Sequence, residues 1–246
     1  MPEPDFSQVF HHSSKSHQKG HPPISLNPAE WPDEWKTPFF KTYPRLPKMP
    51  LDGDRAAADF FDLIKTRQSR RDFHRVPLSL KELGTVLRYS CGEADHSANY
   101  GKGRVYPSAG GRYPIEIYPL VLRGGDAVPS GLYHYNVLNH ALDVLWDREF
   151  SDFDIDQMFG YPWLKEASVV LVMTAVFWRN QNKYGERGYR YVLLEAGHIG
   201  QNVYLTSEAL GVSCCALAGT RDENLEKLID IDGTTESVIY AIALGK

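Results

Sequence analysis

Cysteine is scarce: the 246 residues hold only Cys91, Cys214 and Cys215, and two of these are adjacent. An odd set with sequence neighbours makes a poor disulfide framework, so reduced thiols in a cytoplasm are expected. Charge of either sign is not in excess, since 27 Lys and Arg against 31 Asp and Glu leave a formal net charge of -4. That balance gives no general attraction to nucleic acid or to an anionic membrane, and any bound anion must be held by a local cluster. No apolar run approaches the ~18 residues of a membrane span, and the N-terminal stretch MPEPDFSQVFHHSSKSHQKGHPP has no apolar segment of signal-peptide type. Walker A and G-x-G-x-x-G loops are also missing, which disfavours the nucleotide folds built on them, and the lack of a G-x-S-x-G elbow makes hydrolysis a weak candidate.

The composition that remains is that of a globular protein, 42% hydrophobic and 24% charged, with length for one large domain or two small ones. Residues 1–52 are rich in Pro, His, Ser and Lys, and their prolines interrupt Trp31, Trp35, Phe39, Phe40 and Tyr43. Helix is not expected there. The aromatics are too apolar for a free tail, so the segment reads as an extended arm wrapping a surface, its own or a partner's, ahead of a domain at 53–246. The arm's histidines, His17 and His21 among them, read as parts of a hydrated segment rather than a metal site.

Within the domain, RAAADFFDLIKTRQS carries Ala57, Phe60, Phe61 and Ile64 at helical spacing, and PLSLKELGTVLRYSCG opens a second helix with a Ser79 to Glu82 capping box. IEIYPLVL alternates like a strand, with Pro119 arguing for an edge or bulge, and GLYHYNVLNHALDVLW reads as a hairpin turning near 136–140. SVVLVMTAVF has the continuous apolar character of a strand buried on both faces. A helix from about Gly188 to Leu210 follows, then strand, helix, strand. The order predicts an α+β fold, with helices flanking a mainly antiparallel sheet.

Four stretches hold residues suited to chemistry. Arg67, Ser69, Arg70 and Arg71 fall within five positions past a helix end, where guanidinium forks and a hydroxyl suit a phosphate dianion or are simply solvated. RVYPSAGGRYP sets Ser108, Ala109 and Gly110 between prolines; small side chains there fit an ordinary turn or a backbone approaching something flat or anionic. Lys183 beside Tyr184 suits proton transfer if burial lowers the amine, or belongs to a charged loop in which Glu186 pairs with Arg187 or Arg190. Glu195 and His198 form E-x-x-H on a helix, a spacing repeated at Glu93 to His96; an internal hydrogen-bonded histidine is expected rather than a metal ligand.

Together the stretches RQSRRDF, PLSLKELGTVLRYSCG, RVYPSAGGRYPIEIY, GLYHYN, KYGERGYRYVLLEAGHIGQNVYLTSEALGV and IALG resemble the nitroreductase superfamily of flavin enzymes, specifically its SagB/ThcOx-type dehydrogenases, related to the azoline oxidases of thiazole and oxazole peptide biosynthesis. The resemblance implies a nitroreductase-like fold and FMN bound at a homodimer interface. It places Arg67, Ser69 and Arg71 on the FMN phosphate and ribityl end, and Ser108, Ala109 and Gly110 along the isoalloxazine. Leu217, Ala218 and Gly219 fall on the flavin's other side, Gln201 and Asn202 on polar positions of the long helix, and Lys183 and Tyr184 on the pair that azole-forming members use for proton abstraction. The activity implied is oxidation of an azoline-like ring or related C-N or C-heteroatom bond in a peptide or small molecule, with oxygen or another acceptor closing the cycle, and possible membership of a cyclodehydratase-type complex. An NAD(P)H-dependent nitro or quinone reductase and a non-catalytic flavin-binding subunit are the alternatives. Gly111-Arg112 departs from the Ala-Leu common in the family, which puts an arginine at the expected flavin edge; Lys246 is a second candidate for the phosphate.

Overall fold

The periodicities resolve into one large sheet with helices on both faces in a computed structural model that describes residues 6–15, 24, 25, 27–37, 39–98 and 101–246. In chain order, α1 (Phe6–Ser13), α2 (Asp33–Lys36) and β1 (Lys48–Pro50) precede α3 (Phe60–Thr66) and α4 (Leu80–Cys91). A small hairpin, β2 (Glu93–Ala98) and β3 (Gly101–Arg104), leads to β4 (Ile115–Val121), β5 (Gly131–Asn136) and β6 (Ala141–Asp147). Then come α5 (Asp152–Met158), β7 (Val169–Val176), α6 (Trp178–Tyr184), α7 (Arg187–Leu210), β8 (Ser213–Leu217), α8 (Asp222–Ile229) and β9 (Glu236–Gly245). The seven-stranded sheet has the order β1-β6-β5-β4-β7-β9-β8, and its recorded pairings are antiparallel.

β7 lies inside the sheet, between β4 and β9, because its apolar run can be buried on both faces. Val169, Leu171, Met173 and Ala175 pack with Leu83, Val86 and Leu87 of α4 and Val192, Ile199 and Val203 of α7. Val170 and Val172 point the other way, onto Ile155 and Met158 of α5 and Leu225 and Ile229 of α8. Burying each such side chain contributes about 1.5–3 kcal/mol, so this strand ties both helical layers together. α4 begins where the capping box requires: Ser79 Oγ accepts from Glu82 N at 3.2 Å and Glu82 Oε2 accepts from Ser79 N at 2.9 Å. α3 starts later than its alanines suggest, because the Asp59 carboxylate caps the amides of Phe61 and Asp62.

Several expectations are corrected. Pro119 sits in an interior strand, opposite Leu171 of β7; the ladder between β4 and β5 is recorded at Leu120 and Val121, so Pro119 is not asked to donate to β5. The arm contains two helices where none is expected, α1 and the single-turn α2. Arg190 Nε donates to Ser14 Oγ at 2.7 Å and its Nη2 to the His11 carbonyl at 2.6 Å, so α7 moors α1 through contacts no local pattern shows. The arm also supplies β1, which pairs with β6. On α7, Gly200 packs against the Tyr240 ring and Gly197 faces open space. His17 and His21 lie outside the described residues. Among the described residues no helix is long and apolar enough to cross a membrane.

Candidate functional site

The two ends of α7 each gather part of the residues singled out in the sequence. At its N-terminal end the position of α6 is fixed by charge. Arg179 Nη1 donates to Glu116 Oε1 at 2.5 Å and to the Tyr113 carbonyl at 3.0 Å. Glu116 also meets His134 Nε2 at 2.9 Å, and Asp143 lies 3.4 Å from His134 Nδ1. Against burial, which works the other way, Arg179 and His134 hold the Glu116 carboxyl down at about 2. This chain crosses β4, β5 and β6 and leaves α6 a rigid platform.

One turn beyond Arg179 the platform presents Lys183. Its side chain is 6% exposed, and Nζ has no hydrogen-bond acceptor among the described residues. The amine lies 3.2 Å from the centroid of the Trp31 ring, 5.2 Å from Trp35 and 5.6 Å from Tyr184. Burial, with the Arg112 guanidinium adding to it, pushes the amine down to about 8. Burial also raises the Tyr184 phenol.

The 104–114 loop closes on this pair. Ser108 Oγ accepts from Tyr113 N at 2.9 Å and the Ser108 carbonyl from Gly111 N at 3.0 Å, forming a tight turn over Ala109–Gly111. Gly110 has φ 66°, and a Cβ on it would stand 2.4 Å from the Tyr184 hydroxyl and 3.3 Å from Lys183 Nζ. Only glycine fits there, for its conformation and for the approach of both side chains. Arg112 is not a free charge at this edge: it is 1% exposed, its Nε donates to the Arg179 carbonyl at 2.7 Å and its Nη1 to the Glu34 carbonyl of the arm at 2.6 Å. Glu195 faces the same region from α7. Burial pushes its carboxyl up to about 8, the Ser108 hydroxyl and the guanidiniums of Arg104 and Arg179 pulling the other way.

The remaining candidates gather toward the other end of α7, around a residue the sequence reading passed over. Tyr204 Oη lies 2.8 Å from Ser69 Oγ and accepts from Ala216 N at 2.8 Å, while Arg67 stacks over its ring at 5.0 Å. Tyr204 thus ties the Arg67 to Arg71 segment to β8, whose end carries Leu217, Ala218 and Gly219. Arg70 is spent on an ion pair with Glu208. Arg67 and Arg71 have no carboxylate partner within ion-pair distance among the described residues; Arg71 rests over Trp163 at 5.7 Å. Leu217 is buried, Ala218 exposed, and Gly219 abuts the Tyr161 ring, where a Cβ would come within 3.0 Å.

Gln201 is exposed on α7, and Asn202 donates to the Ser90 and Val105 carbonyls at 3.4 and 3.3 Å, a packing role between α7 and α4. Lys246 is engaged by Glu82 at 2.6 Å. The E-x-x-H residues part company: Glu195 is buried and His198 exposed, so the expected internal histidine is not found. No cluster of His, Cys, Asp and Glu that could hold a metal occurs among the described residues. Arg187 and Arg190 turn to Tyr191 and the arm.

The chemistry of the two ends fits FMN. Two guanidiniums without carboxylate partners and a hydroxyl suit its phosphate, and a glycine cradle beside an unpartnered buried amine suits a flat ring that must exchange protons nearby. Glu195 and Tyr204 are nine residues apart on α7, ~14 Å along its axis at about 1.5 Å per residue.

MJ1384 of Methanocaldococcus jannaschii, which bears a nitroreductase name, is 33% identical over 174 residues, 69% of this chain and 83% of its own length. The trifolitoxin-processing protein TfxB of Rhizobium leguminosarum bv. trifolii is 29% identical over 68% of this chain, which spans only 47% of TfxB. Among solved structures, the E. coli microcin synthetase McbBCD complex with truncated pro-MccB17 bound matches with TM-score 0.61 at 19% identity, covering 98% of this chain and 91% of the matched one. An Exiguobacterium sibiricum protein solved in complex with FMN matches with TM-score 0.53 at 12% identity, covering 78% and 90%. These two likenesses show the fold. The nitroreductase family model matches residues 64–246, and the chain therefore belongs to the nitroreductase family.

Proposed function

We propose that the chain is an FMN-dependent oxidoreductase of the SagB type, a dehydrogenase of an azoline-like ring or related C-N or C-heteroatom bond, and that it works as a homodimer with shared sites. The observation that carries this is the convergence of Lys183 and Tyr184 on Gly110, with the amine buried, unpartnered and lowered to about 8. Aromatising an azoline breaks two C-H bonds, one leaving as hydride and the other as a proton. FMN, when bound, supplies the hydride acceptor. Lys183 Nζ, neutral above about pH 8, takes the proton, and the Tyr184 hydroxyl beside it orients the ring. A reductase that only delivers electrons to its substrate has no need of a buried base.

Arg67, Ser69 and Arg71 hold the phosphate, and the backbone of Ser108, Ala109 and Gly110 and of Leu217, Ala218 and Gly219 lines the ring. Their separation along α7 supports sites completed by a second copy. So do the exposed apolar side chains Phe60, Phe61 and Ile64 of α3 and Leu193 and Leu194 of α7, which a partner would cover. TfxB, a toxin-processing relative, supports a peptide substrate, and the likeness to a chain of McbBCD supports work inside a peptide-modifying complex.

The test is oxidation of a thiazoline-containing peptide by the FMN-loaded protein. Azole formation by the wild type, lost in Lys183→Ala with FMN still bound, is expected. Rapid bleaching of the flavin by NADPH, with no azole formed, would instead favour a nitro or quinone reductase, the reading that the name of MJ1384 supports.

A further inference from the structure

The arm is built as a unit of its own before it touches the domain. Asn27 Oδ1 accepts from Ala29 N at 3.1 Å, Ser25 Oγ donates to Glu30 at 2.6 Å, and Trp31 Nε1 donates to the Ser25 carbonyl at 2.6 Å. Trp31 and Trp35 meet edge to face at 6.3 Å. This unit lies on the candidate site at two points. The Trp31 ring covers Lys183 Nζ, and three residues on, the Glu34 carbonyl accepts from Arg112 Nη1. Phe39 then packs under the Arg112 and Arg179 guanidiniums at 4.9 and 5.6 Å. Arg112 Nη2 is buried with no partner among the described residues, so this side chain has a spare donor beside the one the arm uses.

A ring that gives up a proton to Lys183 must lie within hydrogen-bond reach of Nζ, and the Trp31 ring already occupies that place. Two rings cannot share it. We propose that residues 27–37 form a displaceable cap that mimics the substrate, a peptide whose flat ring takes the place of Trp31 on Lys183 and whose main-chain carbonyl takes the place of Glu34 on Arg112. Arg112 is then the residue that selects peptides, since its Nη1 and spare Nη2 suit a main-chain carbonyl. The proposal rests on the assignment of Lys183 as the proton acceptor.

The test reads the accessibility of Lys183 rather than turnover. The full chain with FMN is treated with acetic anhydride, and acetylation of Lys183 is followed by mass spectrometry against exposed Lys227 as reference. Trp31→Ala and Arg112→Gln are each expected to speed Lys183 modification at least about tenfold, as for a group released from a local closed state. A synthetic peptide of residues 25–39 added to Trp31→Ala should restore protection, and the same peptide carrying Trp31→Ala should not. Equal rates in wild type and Trp31→Ala would overturn the cap. Faster modification that the peptide fails to reverse would overturn the mimicry. Should Arg112→Gln fail to fold, Trp31→Ala, a change on the arm, carries the test. If Lys183→Ala keeps full turnover, the proton acceptor is wrong, while the labelling pattern still reports on the cap.

Discussion

The two ends of α7 treat positive charge in opposite ways. At the N-terminal end Lys183 is buried, denied an acceptor and covered by Trp31, so its amine is lowered. At the C-terminal end Arg67, half-buried, and Arg71, exposed, lie over the rings of Tyr204 and Trp163 with no carboxylate within ion-pair distance among the described residues. A base has to lose its proton near neutrality, which requires a dry setting, whereas an anion grip needs only permanent charge and donors in the right directions. α7 carries neither group but spans the distance between them, with Lys183 on α6 toward one end and Arg67 and Arg71 past α3 toward the other, so its length keeps the low-dielectric end away from the charged one.

The sharpest way to break this contrast is at Lys183. Lys183→Ala is expected to lower azoline oxidation by ~10²–10⁴, the usual worth of a positioned base, while flavin fluorescence titration shows FMN affinity unchanged. A matching loss of affinity would mean that the two ends are not separate. The same amine sets a pH profile. It must be neutral to act, so kcat/KM should climb tenfold per pH unit below about 8 and level off above it. A profile flat from pH 6 to 9 would sink the assignment.

The open end should respond in affinity and not in chemistry. Arg67→Ala or Arg71→Ala each removes charge-assisted hydrogen bonds worth about 1.5–3 kcal/mol, a weakening of FMN binding by roughly 10- to 150-fold. The rate at saturating FMN should hold. Salt should weaken FMN binding to the wild type and do so less in these variants, since exposed charges are screened.

What could be read in the sequence were features that act over a few residues. The Ser79 to Glu82 box, the apolar run of β7, the hairpin turn near 136–140 and the helix from about Gly188 to Leu210 each follow from local residues, and each appears close to where it is expected. Contacts whose partner lies far along the chain were not legible. Arg112 finds Glu34 across 78 positions, and α1 is held by Arg190 across 176, so neither contact leaves a periodic trace. Of the candidate site, the loop, the Lys-Tyr pair and the arginines were legible as residue types. Their grouping at opposite ends of α7 was not, and Tyr204 was hidden as one aromatic in a helix full of them. A signal existed: Tyr204 is the aromatic one turn beyond Gly200, on the side of α7 that turns toward β8 and β9.

Tyr204 gives the smallest effect and the finest distinction. Tyr204→Phe keeps the ring under Arg67 but removes the hydroxyl that joins Ser69 to Ala216 N. Ser69→Ala removes the other side of the same bridge. A net hydrogen bond is worth about 1 kcal/mol, roughly fivefold in affinity. If the bridge serves to hold the Arg67 to Arg71 segment against β8, the two substitutions act through one link, and the double variant should weaken FMN binding no more than the worse single one. Additive losses in that double-mutant cycle would mean that Ser69 meets the cofactor directly and Tyr204 acts independently of it.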